Sequence, residues 1–178
     1  MWMLIPAGLA SAVILFLIIV ALRPSHFHVV RTALISAPPA AVFVHINDFR
    51  KWEAWSPWAK RDPAARNGFE GPASGTGAVF TWSGNHEVGR GRMTITEHRP
   101  SERVCIRLEF FKPFACTNAV EFNFAPEGSQ TKVTWSMAGK NNFMAKAIGL
   151  FMDCDKMVGG DFEKGLANLR AIAEGQRA

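Results

Sequence analysis

Hydrophobic positions change period three times along the chain, and each change predicts a different kind of element. From Trp2 to Leu22 no side chain is charged and only Ser11 is polar, so a helix here has no wet face. It would be about 30 Å long, the thickness of a bilayer's hydrocarbon layer. Met1-Trp2-Met3 supplies no basic leader, and Val20-Ala21-Leu22-Arg23 is a poor cleavage site. The stretch therefore reads as an uncleaved single-pass anchor and not as a signal peptide. Pro6 falls in the first turns, where its missing N–H costs little.

After Arg23-Pro24 the period drops to two. His26 to Ile35 is rich in β-branched residues and alternates as a strand. Ser36-Ala37-Pro38-Pro39 ends it, with Ser36 placed to cap a helix over Ala40 to Ile46. A second short helix is expected from Asp48 to Trp55, capped by Asn47 or Asp48 and stopped by Ser56-Pro57. Turn residues at Gly71-Pro72, Gly75 to Gly77, Ser83-Gly84-Asn85, Arg99-Pro100-Ser101 and Pro126-Glu127-Gly128 then separate strands near 76–83, 89–98, 103–111, 115–125 and 130–139. Val104, Ile106, Leu108 and Phe110 oppose Cys105, Arg107 and Glu109; Val120, Phe122 and Phe124 oppose Glu121 and Asn123; Val133, Trp135 and Met137 continue the pattern. One face is buried and the other wet, as in an antiparallel meander. A hairpin turning at Lys112-Pro113 would pair positions summing to 225, facing Cys105 with Val120 and Cys116 with Glu109, too far apart to bridge.

The period becomes helical again from Asn142 to Gly175. Val158, Phe162, Gly165, Leu169 and Ile172 form one stripe flanked by Leu166 and Ala173. Gly159-Gly160 predicts a kink or restart. The whole is an α+β layout: a curved antiparallel sheet wrapped around a long C-terminal helix, preceded by one transmembrane helix.

Composition adjusts this picture only slightly. The 178 residues divide into an anchor, 1–23, and one domain, 24–178; 48% hydrophobic and 20% charged residues suit a folded core. The net charge of +5 is spread out. Its nearest approach to a cluster is Arg90, Arg92, Arg99, Arg103 and Arg107, either a solvated sheet face or a patch for anionic lipid head groups. Nucleic acid would want a denser stripe. Arg23, Arg31, Arg50 and Lys51 follow the span, which favours a cytoplasmic domain. Three cysteines, Cys105, Cys116 and Cys154, without CxxC spacing fit a reducing compartment.

The element order, the Ser36-Ala37-Pro38-Pro39-Ala40-Ala41-Val42-Phe43 segment, the Asp48-Phe49-Arg50-Lys51-Trp52-Glu53-Ala54-Trp55-Ser56-Pro57-Trp58 segment and the ending Gly160-Asp161-Phe162-Glu163-Lys164-Gly165-Leu166-Ala167-Asn168-Leu169 resemble the START-like helix-grip superfamily. Within it the chain resembles bacterial polyketide cyclase/dehydrase-type members with an N-terminal anchor. The resemblance covers about residues 26–175 and implies an apolar cavity between sheet and C-terminal helix. It does not fix an activity.

The expected lining is Trp55, Phe80, Trp82, Phe110, Phe122, Trp135 and Phe162, with Gly165 providing either space or close packing. These rings can equally form a plain core. No Ser-His-Asp order, phosphate loop or zinc spacing occurs, no catalytic or metal-binding residue is assigned and no cofactor is expected; His26 and His28 lack a third ligand. Any reaction would be proton transfer by Glu97, His98 or Glu121 in an apolar surround. The expected function is binding of a small hydrophobic or lipid-like molecule by a membrane-anchored domain. The alternatives are a polyketide cyclase or dehydratase and an interaction module with a filled core.

Overall fold

A computed structural model describes residues 4–151 and 153–175, with side chains of 4–12 and 154 outside that description. Helix α1 spans Leu4–Leu22, strand β1 His26–Ile35 and helix α2 Pro39–Ile46, followed by a 3-10 helix, Phe49–Ala54. Strands β2 (Arg66–Glu70), β3 (Val79–Ser83), β4 (Arg90–Arg99), β5 (Arg103–Lys112), β6 (Cys116–Glu127) and β7 (Gln130–Lys140) precede helices α3 (Phe143–Ile148) and α4 (Cys154–Ala173). The strands form one antiparallel sheet in the order β1-β7-β6-β5-β4-β3-β2. β1 closes onto β7 with His26 opposite Lys140.

Among the described residues no helix is long and apolar enough to cross a membrane. The expected anchor lies partly outside them: Met1 to Met3 are not described, and of the apolar stretch only side chains 13–22 are. Described residues Val13 to Ile19 and Leu22 expose large hydrophobic side chains.

Four details differ from the pattern-based expectations. The residue capping α2 is Pro38; the Ser36 hydroxyl instead accepts from Gln130 Nε2 at 2.9 Å. The second short helix has 3-10 geometry, with the Asp48 carboxylate accepting from Arg50 N. Strand β2 adds an edge that alternation does not announce, because Phe69 is the one large apolar residue in Arg-Asn-Gly-Phe-Glu. The β5–β6 pairs sum to 226, with Cys105 opposite Glu121 and Phe110 opposite Cys116. Directly opposed residues share a face, so two strands whose buried apolar residues are even-numbered, Val104 and Ile106 against Val120, Phe122 and Phe124, require an even sum. The cysteines then face opposite ways, and both are free.

The expected kink is also displaced. The break lies between Ile148 and Cys154, and α4 runs unbroken through Gly159-Gly160. A side chain at Gly159 would overlap the Arg31 guanidinium. Arg31 points inward from β1 and donates to Glu163 Oε1 at 2.7 Å, Asp155 Oδ2 at 2.9 Å and the Asp155 carbonyl at 3.1 Å. This hydrogen bonding holds the Asp155 carboxyl below the usual carboxylate range. Helix α4 rests chiefly on β1, burying Phe162, Leu166 and Leu169 against Val29, Ile35, Val133 and Trp135.

An apolar shelf as the candidate functional site

The inner face of the sheet, on which α4 lies, has a filled half and an open half. In the filled half Trp135 and Phe162 stack with centroids 4.0 Å apart and planes 7° from parallel. Phe122 lies 4.7 Å and Trp55 5.6 Å from Trp135, and Trp58 meets the edges of both stacked rings. These contacts have the offset and edge-on geometries aromatic rings favour. Trp55 donates Nε1 to His45 O at 3.0 Å and Trp52 donates to Ile46 O at 2.9 Å, tying the rings to α2. A Cβ on Gly165 would lie 2.8 Å from Trp135 and 3.2 Å from Pro57. Gly165 is thus a point of close packing. Arg61 crosses the top, bonded to Asp161 at 2.6 Å and lying over Trp58.

The open half begins where α4 leaves the sheet. Phe69, Phe80, Met93, Leu108 and Asn118 are successive cross-strand partners from β2 to β6, and the inner face alternates to Trp82, Gly91, Phe110 and Cys116 in the next row. Cross-strand neighbours lie about 5 Å apart, so the two rows make a continuous surface. Phe80, Trp82, Met93, Leu108 and Phe110 are each half-buried, and Phe69 is 43% exposed. Trp82 is fixed by its Nε1 donating to Val88 O at 2.9 Å, by stacking with Phe80 and by Phe110 at its edge. Its ring occupies the space a Gly91 side chain would need. At the inner end Asn118 is buried, and its Oδ1 has no hydrogen-bond partner.

Of the eight sequence-selected residues, Trp55, Phe122, Trp135, Phe162 and Gly165 therefore lie in the filled half and Phe80, Trp82 and Phe110 on the shelf. Phe69, Met93, Leu108 and Asn118 were missed. The two-residue period carried Leu108 but not Phe69 on the patternless β2 or the polar Asn118, and without coordinates nothing shows where α4 stops covering the sheet.

The titratable candidates are dispersed. Glu97 accepts from Arg103 at 2.7 Å and Arg99 at 3.1 Å, which lowers its pKa. His98 Nδ1 accepts from Thr76 N at 3.0 Å. Glu121 accepts from Asn123 on the outer face. Burial raises the thiol pKa of Cys105 and Cys116. Arg92, Arg99, Arg103 and Arg107 engage carboxylates along the outer face, so that cluster is largely an ion-pair ladder. Among the described residues no group of three His, Cys, Asp or Glu could hold a metal. Surface grooves among the described residues include one of about 640 Å³ at Thr32, Leu34, Gln130 and Arg170 and one of about 350 Å³ at Thr81, Arg90 and Phe111.

A family described as polyketide cyclase / dehydrase and lipid transport matches residues 26–174. No curated protein matches in sequence. Similar solved structures include the Aha1 dimer from Colwellia psychrerythraea, at 15% identity and TM-score 0.61, covering 85% of this chain and 99% of that one. A putative uncharacterized protein from Rhizobium leguminosarum gives 16% and 0.62, covering 85% and 96%. CalU16 from Micromonospora echinospora gives 18% and 0.57, covering 85% and 76%. These likenesses are of fold.

Proposed function

Taking as premise that the chain belongs to the polyketide cyclase/dehydrase and lipid transport family, we propose that it is a membrane-anchored binding protein for a small hydrophobic or lipid-like ligand. One observation carries the reading: the half-buried shelf of Phe80, Trp82, Met93, Leu108 and Phe110, left open beside a filled core. Apolar side chains left part-exposed next to one another keep a face that an apolar ligand can cover. At about 25 cal/mol per Å² of apolar area covered, a modest amphiphile on such a surface gains several kcal/mol. Asn118, buried beside Leu108 with its Oδ1 unpaired, closes the inner end of the shelf. The reading invokes no reaction, since Glu97, His98 and Glu121 do not converge on the shelf.

The anchor is the apolar stretch Trp2 to Leu22, and Arg23, Arg31, Arg50 and Lys51 beyond it support a cytoplasmic domain. Protease protection of the tethered domain in oriented inner-membrane vesicles tests the side. The binding test is native mass spectrometry of the full chain released from nanodiscs. Recovery of about one amphiphile per chain, abolished by Leu108→Arg while the near-UV circular dichroism persists, is expected from a single saturable site. A chain that carries no amphiphile and takes none up would leave the filled interaction module in its place.

A further inference from the structure

Outside α1, large exposed apolar side chains occur singly at Val30, Leu34, Val44 and Phe69 but gather at one end of the domain. Phe111 and Phe114 flank the β5–β6 turn at 44% and 53% exposure, and Phe143, Met144 and Phe151 stand on and after α3 at 52%, 50% and 83%. The turns at the opposite end, 99–103 and 127–130, have none. The first set shares an edge because β1 begins, β5 ends, β6 begins and β7 ends there, as the His26–Lys140 and Phe110–Cys116 pairings require. Strands are spaced about 4.8 Å apart, so the β5–β6 turn lies within about 15 Å of the start of β1.

The same edge receives the end of α1. Lys146 donates to the Ala21 carbonyl, Arg23 to the Gly149 carbonyl and Asn141 N to the Ser25 carbonyl. Helix α3 is therefore held at the level of Ala21 to Arg23. Exposed Lys112, Lys140 and Lys156 and the part-exposed Lys146 surround the apolar side chains, while Asp155 nearby is engaged by Arg31 and Asp153 by Lys156.

We infer that this end, formed by α3 and the β5–β6 turn, docks on the surface of a bilayer bearing anionic head groups, with Phe114, Phe143 and Phe151 inserted between them. The inference rests on the anchored reading of α1: a span ending at Leu22 sets α3 at head-group depth. Phenylalanine side chains of peripheral segments bury at the head-group/acyl boundary just below that level, and lysines beside an anionic surface gain about 1 kcal/mol each. The open shelf also reaches this edge through Phe110 and Trp82, so docking would bring its mouth against lipid.

The test uses the full chain with Cys105, Cys116 and Cys154 replaced by serine or alanine, labelled singly with the fluorophore NBD after Ile14→Cys, Phe114→Cys, Phe143→Cys or Ser101→Cys. It is reconstituted in phosphatidylcholine vesicles with and without phosphatidylglycerol. Docking predicts several-fold stronger emission and strong quenching by nitroxide lipids at 114 and 143 but not at 101, enhanced by phosphatidylglycerol and reduced by salt. Positions 114 and 143 as wet as 101, while 14 is quenched by lipid, would overturn the docking surface and leave the anchor standing. A wet position 14 would remove the anchor itself and the inference with it. Shielding of 114 and 143 from both lipid and water quenchers, growing with protein density, would assign the face to a second copy and overturn the inference.

Discussion

The same substitution at two positions of α4 separates a filled sheet–helix interface from an empty one. A Cβ on Gly160 would meet nothing within 4 Å, whereas one on Gly165 would lie 2.8 Å from Trp135 and 3.2 Å from Pro57. Alanine raises helix propensity by about 1 kcal/mol at either site, so the propensity gain cancels in the comparison. What remains is overpacking at Gly165, typically about 1–3 kcal/mol. Trp135 cannot relieve it by a rotamer change, being 2% exposed and clamped by Phe162, Trp55 and Phe122. For a domain of this size each kcal/mol moves the midpoint by about 2–4 °C, placing Gly165→Ala about 2–12 °C below Gly160→Ala. The assay is thermal unfolding of the full chain in micelles, followed by near-UV circular dichroism. Equal midpoints, or a more stable Gly165→Ala, would show room beside Trp135 and refute the close-packed interface.

Gly159→Ala is expected to displace the Arg31 guanidinium from Asp155 and Glu163 and so to be less favourable in the native background than beside Arg31→Ala; a urea-unfolding double-mutant cycle should return about 0.5–1 kcal/mol of coupling. Burial, aided by Lys51, holds the His45 imidazole below its usual 6.5. The unfolded chain therefore binds the proton more readily there, and stability should fall as pH drops from 6.5 toward the lower folded value. His45→Asn should flatten urea midpoints measured across that window. With both thiol pKa values raised by burial, Cys105 and Cys116 should react with N-ethylmaleimide at pH 8 well below the rate of a free thiol and match it in urea.

Much of this architecture was legible because burial leaves a period. The alternation in β5, β6 and β7 and the stripe on α4 led directly to a sheet gripping a helix. Strand β2 was not legible, since an edge strand with one apolar side chain carries no period. The cysteine register was legible in principle, because apolar residues at even positions on both strands exclude an odd sum. Propensity alone puts the break at Gly159-Gly160, because it knows nothing of an arginine arriving from β1. Which rings belong to the core and which to the shelf depends on where α4 ends its contact, a property of the whole fold and not of any local window.

The strand order has a temporal side. β1 is the first strand to be synthesised, yet its sole neighbour is β7, the last. At about 5–20 residues per second, the hundred or so residues between them take about 5–20 s to emerge. During that interval β1 presents an unsatisfied edge open to wrong pairing. Closing so large a loop slows folding more than it costs stability, so mutations that weaken β7 should reveal themselves first as poor yield from the cell.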